Sequence, residues 1–302
     1  MADSNQRKTA EDVAHEVTPT VTGRAVRRAE EDAEYTAVIL KRTDETHRHP
    51  DDILEAAIRD GLEQLERPVP SLALSSVAAG SILGFTAMAV GVVTALVEPL
   101  AGSALSRLVV AAVYPLGFVV CMMSGTELFT EHTATAVYPV LDRRASIPLL
   151  LRLWGVVLVG NIVGAGLSAR LLVTAEAVIQ AREGYIAVGG HLVEFAVVPL
   201  LASALLAGWL MALGAWLILA TPPTVSQMLS IYVVTFLIGL GGLHHSIAGS
   251  AEILTAYFVS DQFTLWEVVR FIGLAVVGNL CGGSLFVAVL NYGHIRQSQM
   301  IS

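Results

Sequence analysis

The sequence predicts an all-helical polytopic membrane protein whose six transmembrane helices form a 3+3 inverted repeat, with helices two and five broken. The first observation is composition: of 302 residues, 54% are hydrophobic and 15% are charged, and the mean hydropathy is +0.66. Such values are typical of chains that cross a bilayer several times. The second is a series of apolar runs near the roughly 20 helical residues that a bilayer core requires. The third is a pair of polar interruptions within two of these runs.

Charge is concentrated in the first 67 residues, which hold ten Lys/Arg and sixteen Asp/Glu, whereas the rest of the chain holds eight and ten. This acidic balance argues against a nucleic-acid partner. Cys121 and Cys281 both lie in apolar runs, so we expect no structural disulfide, no metal site and no cofactor. The polar start of the chain has no apolar core of a signal peptide, and we expect no cleaved leader.

Four regions are predicted along the chain. Residues 1–50 are polar and lack periodicity, which indicates a flexible acidic tail. Residues 51–67 form an amphipathic helix, which either lies on the membrane surface or packs on the channel mouth. Residues 68–295 are the transmembrane channel domain, and residues 296–302 are a short tail. The helix is predicted from the spacing of its apolar residues, which are Leu54, Ile58, Leu62 and Leu65.

The apolar runs place the six spans. Spans one, three, four and six are uninterrupted, and a mixed polar loop is predicted at residues 174–194. Spans two and five contain the breaks, and we expect each to be a single helix broken in the middle. Such breaks are tolerated only where the backbone is buried in protein or lines a cavity. In order, the spans are residues 71–97, 108–141 (broken at 124–132), 153–172, 195–220, 228–260 (broken at 240–252) and 271–292.

An internal repeat relates the two halves. The sequence Val-Gly-Asn-Ile-Val-Gly at residues 159–164 matches Val-Gly-Asn-Leu-Cys-Gly at residues 277–282, with an offset of 118. The same offset maps residues 128–130 onto residues 246–248. Three spans per half force opposite orientations, and inverted repeats with paired broken helices place a binding site at the midplane. Arginine counts of five against four on the two sides favour both termini in the cytoplasm, with the protein in the cell (inner) membrane.

His245 is the first candidate for the pore. An imidazole changes charge near neutral pH, and a weak acid that takes a proton can cross an apolar constriction as a neutral molecule. A histidine at the constriction is suited to exchange that proton with the permeant, or to form a hydrogen bond to the permeant. Thr130 lies in the other break, and its hydroxyl can bond to an imidazole. Leu128 and Phe129 are apolar where a loop is normally polar, which favours a hydrophobic constriction.

Five residues are predicted to support this site. His244 is adjacent to His245 and therefore points elsewhere, so a structural role is favoured. Glu127 and Glu252 are carboxylates at membrane depth with no lysine to pair with; they are either protonated or bonded to the opened backbone. Asn161 and Asn279 occupy equivalent repeat positions and are expected to tie backbone groups at the breaks.

Several short motifs lie in order along the chain. They are residues 127–130 (Glu-Leu-Phe-Thr), 245–248 (His-Ser-Ile-Ala), 160–161 and 278–279 (Gly-Asn), 128–137, 152–161, 208–210 and 248–254. With these motifs the chain resembles the formate/nitrite transporter family over about residues 70–295, and within the family it looks most like the YfdC-like branch. The resemblance implies an aquaporin-like six-helix protomer in a homopentamer, passing small monovalent anions with proton assistance. Leu128, Phe129 and Thr130 then correspond to constriction and loop residues, and His245 to the central histidine.

Three positions depart from the family pattern. His244 stands where typical members have Glu, and Gly249 stands where they have Asn. A lysine near the start of the fourth span is missing, and His191 is the nearest basic candidate. Two alternatives to an anion channel therefore stay open. One is the same fold passing a neutral or cationic solute such as ammonia or an amine, and the other is a non-conducting membrane receptor or scaffold.

Overall fold

The computed structural model describes residues 48–97 and 103–301, which are helical and contain no strand. The predicted flexible tail, apart from its last residues, lies outside this part of the chain. Six helical stretches within it are long and apolar enough to cross a membrane, which confirms the polytopic all-α prediction. The helices are α1 (Pro50–Glu66), α2 (Val69–Ile82), α3 (Gly84–Val97), α4 (Ser103–Val113), α5 (Pro115–Met123), α6 (Phe129–Thr135), α7 (Tyr138–Leu141), α8 (Ile147–Thr174), α9 (Glu176–Ile179), α10 (Arg182–Val193), α11 (Val197–Ala220), α12 (Thr224–Gly241), α13 (Ser246–Val259), α14 (Leu265–Cys281), a π-helix (Gly282–Val289) and α15 (Leu290–Ile301).

Helix α1 packs on the protein, which decides between its two predicted positions. Leu54, Ala57, Ile58 and Leu65 are fully buried. A Cβ added at Gly61 would lie 2.3 Å from the carbonyl oxygen of Thr135, so α1 lies directly against α6. Ion pairs join α1 to α15 and to the segment after α7, through Glu55 with Arg296 and Arg144. These contacts define the amino-terminal end of the bundle.

The opposite end of the bundle is formed by the segments between spans three and four. Arg270, at the start of span six, donates to the carbonyl oxygens of Val193 and Phe195. Arg107, in α4, donates to the carbonyl oxygen of Leu240 at the end of α12, at 2.6 Å. Helix α12 therefore runs to this opposite end.

The predicted loop at residues 174–194 is wrong, because most of it forms helices α9 and α10. A Cβ at Gly184 would lie 1.9 Å from the carbonyl oxygen of Gly91, so α10 lies against the backbone of α3. This packing lets a short segment with Arg182 and Glu183 at its start form a helix. Span three is also longer than predicted, because the guanidinium of Arg152 bonds the carbonyl oxygen of Leu65 and is accommodated within α8.

The broken spans differ from the prediction of one helix interrupted midway. Helix α12 has 18 residues, about 27 Å at 1.5 Å per residue, and nearly spans the bilayer core by itself. Gly242 then takes a left-handed conformation with φ of 60° and turns the chain, and α13 begins at Ser246. Gly125 makes the corresponding turn, with φ of 66°, before α6 begins at Phe129. Each break is therefore a turn followed by a second, separate helix.

Candidate functional site

His245 and Thr130 meet at the centre of the bundle. The Nε2 atom of His245 lies 3.0 Å from Oγ1 of Thr130, and the two residues are 1% and 0% exposed. His245 directly precedes α13, and Thr130 is in the first turn of α6. The two breaks thus bring these side chains together although 115 residues separate them.

The hydrogen bonds of His245 define its tautomer. Its Nδ1 accepts the backbone N–H groups of Ile247 and Ala248, at 3.2 and 3.1 Å, and so caps α13. A nitrogen that accepts two N–H bonds carries no proton, so the proton of the neutral ring is on Nε2. His245 therefore donates from Nε2 to the oxygen of Thr130, whose own hydroxyl proton is left for another acceptor.

Apolar side chains surround this polar pair. The ring of Phe118 meets the imidazole of His245 edge to face, with centroids 4.9 Å apart. Leu128 and Phe129 are both buried, directly before Thr130 in the chain. Sequence reasoning missed Phe118, because an aromatic residue in an apolar run carries no signal of its own. The place of Leu128 and Phe129 in a constriction stays a prediction.

Asn161 and Asn279 hold the two breaks with matching hydrogen bonds. The Oδ1 atom of Asn161 accepts the N–H of Phe129, and its amide donates to the carbonyl oxygen of Glu127. The Oδ1 atom of Asn279 accepts the N–H of Ser246, and its amide donates to the carbonyl oxygen of His244. Each asparagine thus satisfies backbone groups that a turn leaves without helical partners.

These contacts correct the alignment of the breaks. The asparagines are 118 residues apart, but Phe129 corresponds to Ser246 and Glu127 to His244, an offset of 117. The offset of 118 therefore holds for spans three and six but not for the breaks, which differ by one residue. The paired contacts are those of a duplicated unit, while the inverted orientation of the halves stays a prediction.

A pair of serines extends the correspondence and was missed from the sequence. The Oγ of Ser75 accepts the N–H of Glu127, and the Oγ of Ser203 accepts the N–H of His244. The signal was present, because Ser75 and Gly80 have the same spacing as Ser203 and Gly208. The backbones of the two breaks are thus held by matching hydrogen bonds, whereas the side chains at the breaks differ.

Glu127 and His244 face different surroundings. The carboxylate of Glu127 is buried and bonds both to Arg67, which follows α1, and to His132 in α6. Arginine and histidine thus supply the partners for which no lysine is available. Nearby in α1, burial raises the pKa of the Asp60 carboxyl. This cluster ties α1 to the first break at the amino-terminal end.

His244, in the second break, packs against α11. Its Nδ1 is 2.7 Å from Oγ of Ser203, and its ring stacks with that of His191, with centroids 6.4 Å apart. The His191 ring is exposed, and its Nδ1 lies 2.7 Å from the carboxylate of Glu194. His191 is thus close to the second break, but a carboxylate already pairs with one of its nitrogens.

Glu252 is on α13, two turns after His245, and is 6% exposed. Within the described residues its carboxylate has no hydrogen-bond or ion-pair partner. No group of three His, Cys, Asp or Glu side chains in the same residues can hold a metal ion. The arrangement at the centre is thus one of hydrogen-bond donors on helix ends in an apolar surround.

Six spanning stretches, two turns within the bundle and a buried polar centre between them define a multi-pass membrane protein of the channel class. A family model described as formate/nitrite transporter matches residues 51–293. The chain belongs to the formate/nitrite transporter family.

The chain matches two curated relatives over most of their length. The chain is 33% identical over 246 residues to "Inner membrane protein YfdC" of Escherichia coli, covering 79% of this chain and 76% of the relative. It is 26% identical over 245 residues to "Probable formate transporter" of Methanothermobacter thermautotrophicus, covering 74% and 88%. The resemblance inferred from the motifs is thereby confirmed.

Solved structures share the fold. An "FNT family ion channel" superposes with a TM-score of 0.74 at 19% identity, covering 81% of this chain and 99% of that one. A "Pentameric formate channel with formate bound" gives a TM-score of 0.64 at 19% identity, covering 76% and 98%. At these identities the likeness establishes the fold.

Proposed function

We propose that this protein is a channel for small monovalent weak-acid anions of the formate and nitrite type. The observation that carries the proposal is the buried pair of His245 and Thr130, in which Nε2–H of His245 bonds the Thr130 oxygen and leaves the Thr130 hydroxyl proton free to donate near the amino-terminal end of α13. The positive end of a helix dipole favours negative charge. A small oxyanion has acceptor oxygens that fit such donors.

Family membership and the names of two related proteins support the same substrate class. One relative is named as a probable formate transporter, and one structural neighbour is a pentameric channel with formate bound. We extend both properties to this chain: it passes formate-like anions, and its assembly in the bilayer is a homopentamer. We propose further that each protomer of this assembly has its own pore. The protein acts as a channel and not as an enzyme.

The proposal also includes the way in which passage of the anion is coupled to a proton. A bare anion meets a large desolvation cost in an apolar constriction, and protonation removes that cost. Because Nδ1 of His245 accepts two backbone N–H bonds, a proton added there would break both. We therefore assign Nε2–H as the donor that orients Thr130, whose hydroxyl proton then holds the permeant. The proton then enters with the permeant from the channel mouth, rather than through the ring.

One observation favours the second candidate, a channel for a neutral or cationic solute. Glu252 is a buried carboxylate without a partner in the described residues, and an amine would bond to it. The donor pair at His245 and Thr130 and the capped Nδ1 favour an acceptor-rich permeant instead. No contact in the described residues favours the receptor alternative.

A flux panel separates these candidates. Purified protein in liposomes is given inward gradients of formate, nitrite, acetate or methylamine, and uptake is followed. We expect uptake of the small anions and a large loss in Thr130→Val, which keeps the shape but removes the hydroxyl. Protein-free liposomes and a variant with an exposed change, Leu171→Ala, are the controls. Methylamine uptake faster than formate uptake would establish the second candidate.

A further inference from the structure

We propose that His244 and its neighbours form an anion-binding subsite at the opposite end of the bundle, with Nε2–H of His244 as its donor. This inference rests on the proposed passage of small oxyanions. It assigns a binding role to a residue that the sequence favours as structural. The ligand is a small monovalent oxyanion such as formate.

The tautomer of His244 follows from Ser203. The serine oxygen accepts the backbone N–H of His244 at 3.1 Å and lies 2.7 Å from its Nδ1. Within the described residues the hydroxyl proton of Ser203 has no acceptor other than Nδ1, so the serine donates to that nitrogen. The proton of the neutral imidazole is then on Nε2, which points away from Ser203.

The Nε2 donor has no partner. His244 is 3% exposed, and its Nε2 is covered and without a hydrogen bond in the described residues. An unpaired buried donor destabilises the protein, and a bound acceptor recovers the lost free energy. The corresponding residue in the other break, Glu127, is by contrast bonded to both Arg67 and His132. The two breaks have matching backbone hydrogen bonds, but of the residues Glu127 and His244 only His244 has a side-chain donor without a partner.

The neighbours of His244 favour an anion over a cation. Phe195 and Phe271 meet its ring at steep angles, with centroids 5.3 and 5.8 Å away. His191 and Arg107 both lie close to Gly242. A Cβ added at this glycine would be 3.4 Å from Nε2 of His191 and 3.9 Å from a guanidinium nitrogen of Arg107. Arg107 is exposed and bonds the adjacent Leu240 carbonyl. Its fixed positive charge attracts anions to this mouth, where Glu194 already pairs with His191.

Two amide replacements separate binding from structure. In His244→Asn the amide oxygen takes the place of Nδ1 and keeps the contact with Ser203, while the donor at the Nε2 position is lost. In His244→Gln the amide nitrogen takes the place of Nε2, and the contact with Ser203 is lost. A purely structural histidine would tolerate Asn better than Gln, whereas a binding histidine would tolerate Gln better.

The test uses the full-length protein in liposomes with sodium formate as the probe. Initial uptake is measured against formate concentration for wild type and both variants. We expect His244→Asn to raise the half-saturating concentration about tenfold, the value of one hydrogen bond, without changing maximal uptake. His244→Gln should stay near wild type. An unchanged half-saturation in His244→Asn, or the reverse order of the two variants, overturns the subsite.

Binding is also measured without transport. Solid-state ¹⁵N spectra of ring-labelled histidine are recorded with and without formate, and the His244 signal is identified from the His244→Asn spectrum. If that variant does not fold, the His244→Gln spectrum identifies the signal. A formate-dependent shift of the Nε2–H signal supports the subsite even if liposomes show no uptake, a result that would refute the proposed function alone. Uptake without any shift would refute the subsite alone.

Discussion

Asn161 and Asn279 make the same bonds on the two sides of the bundle, each accepting the first N–H of a short helix and donating to the carbonyl two residues earlier. Each also donates to a further carbonyl, that of Ser76 or Ala204. All these groups are buried. Two side chains thus bond six backbone groups, four at the interruptions and two, at Ser76 and Ala204, within helices α2 and α11.

Replacing either asparagine by alanine should destabilise the fold. Each change leaves one N–H and one carbonyl group at the break without its side-chain partner, at about 1–3 kcal/mol for each buried group, and removes a second bond from a carbonyl within α2 or α11. We expect a clear fall in the melting temperature of the purified protein, measured by intrinsic fluorescence. Asn161→Asp keeps the bond from the N–H of Phe129 but turns a second oxygen toward the carbonyl oxygens of Ser76 and Glu127, so its melting temperature should be no higher than that of the alanine variant. Val163→Ala, an exposed change on the same helix, is the control.

The close approach of span one to span three, and of span four to span six, gives a second prediction. A Cβ at Gly80 would lie 2.0 Å from the carbonyl oxygen of Asn161, and a Cβ at Gly208 would lie 2.2 Å from that of Asn279. Both contacts involve backbone and cannot relax cheaply. Gly80→Ala and Gly208→Ala should therefore move the helices apart, lowering both stability and formate uptake.

Gly273 supplies the matched control for these glycines. It lies in α14, and a Cβ there meets nothing within 4 Å. Gly273→Ala should keep uptake and stabilise its helix slightly, because alanine is favoured over glycine in a helix interior by about 1 kcal/mol. If all three variants behave alike, the packing argument is wrong.

The link between α1 and the first break gives a third prediction. Removing the guanidinium in Arg67→Ala leaves the buried carboxylate of Glu127 with His132 as its remaining ionisable partner. Breaking a buried ion pair costs about 3–5 kcal/mol, so we expect a strong loss of thermal stability and greater proteolysis of α1.

Two further variants check the assignment. Arg182→Ala removes an exposed arginine at the opposite end and should leave stability unchanged. The double variant Arg67→Met with Glu127→Gln removes both charges and should recover much of the loss. If Arg67→Ala is as stable as wild type, the cluster does not hold α1 in place.

The sequence allowed the helical class, six spans, two breaks and the family to be predicted, because composition and short motifs report on them directly. It could not resolve the register of the breaks. The asparagine repeat has an offset of 118, but the residues that the asparagines hold have an offset of 117, and only the hydrogen bonds show the difference. The helix at residues 182–193 was missed because its stability comes from packing at Gly91 and Gly184. The partners of Glu127 were missed because Arg67 precedes it by 60 residues.

The central histidine gives the last prediction. In His245→Asn the amide oxygen takes the place of Nδ1 and continues to cap α13, since asparagine is a favoured capping residue. The Nε2 donor that bonds to Thr130 is lost. We expect formate uptake to fall more than tenfold, which corresponds to about 1.4 kcal/mol of barrier. The dependence of the remaining uptake on pH should match wild type, because the proposed proton travels with the permeant.

Stopped-flow uptake from about pH 5 to 8, the range in which an ordinary imidazole titrates, tests both parts. His244→Asn at saturating formate is the matched control, since the same replacement at the adjacent residue should preserve maximal uptake. Pentamer content is checked for both variants, so that a loss of assembly is not taken for a loss of conduction. A flat pH profile in His245→Asn would show that the ring itself exchanges protons, despite the two N–H bonds at Nδ1. Wild-type uptake in the same variant would show that His245 is structural, a cap of α13 without contact with the permeant.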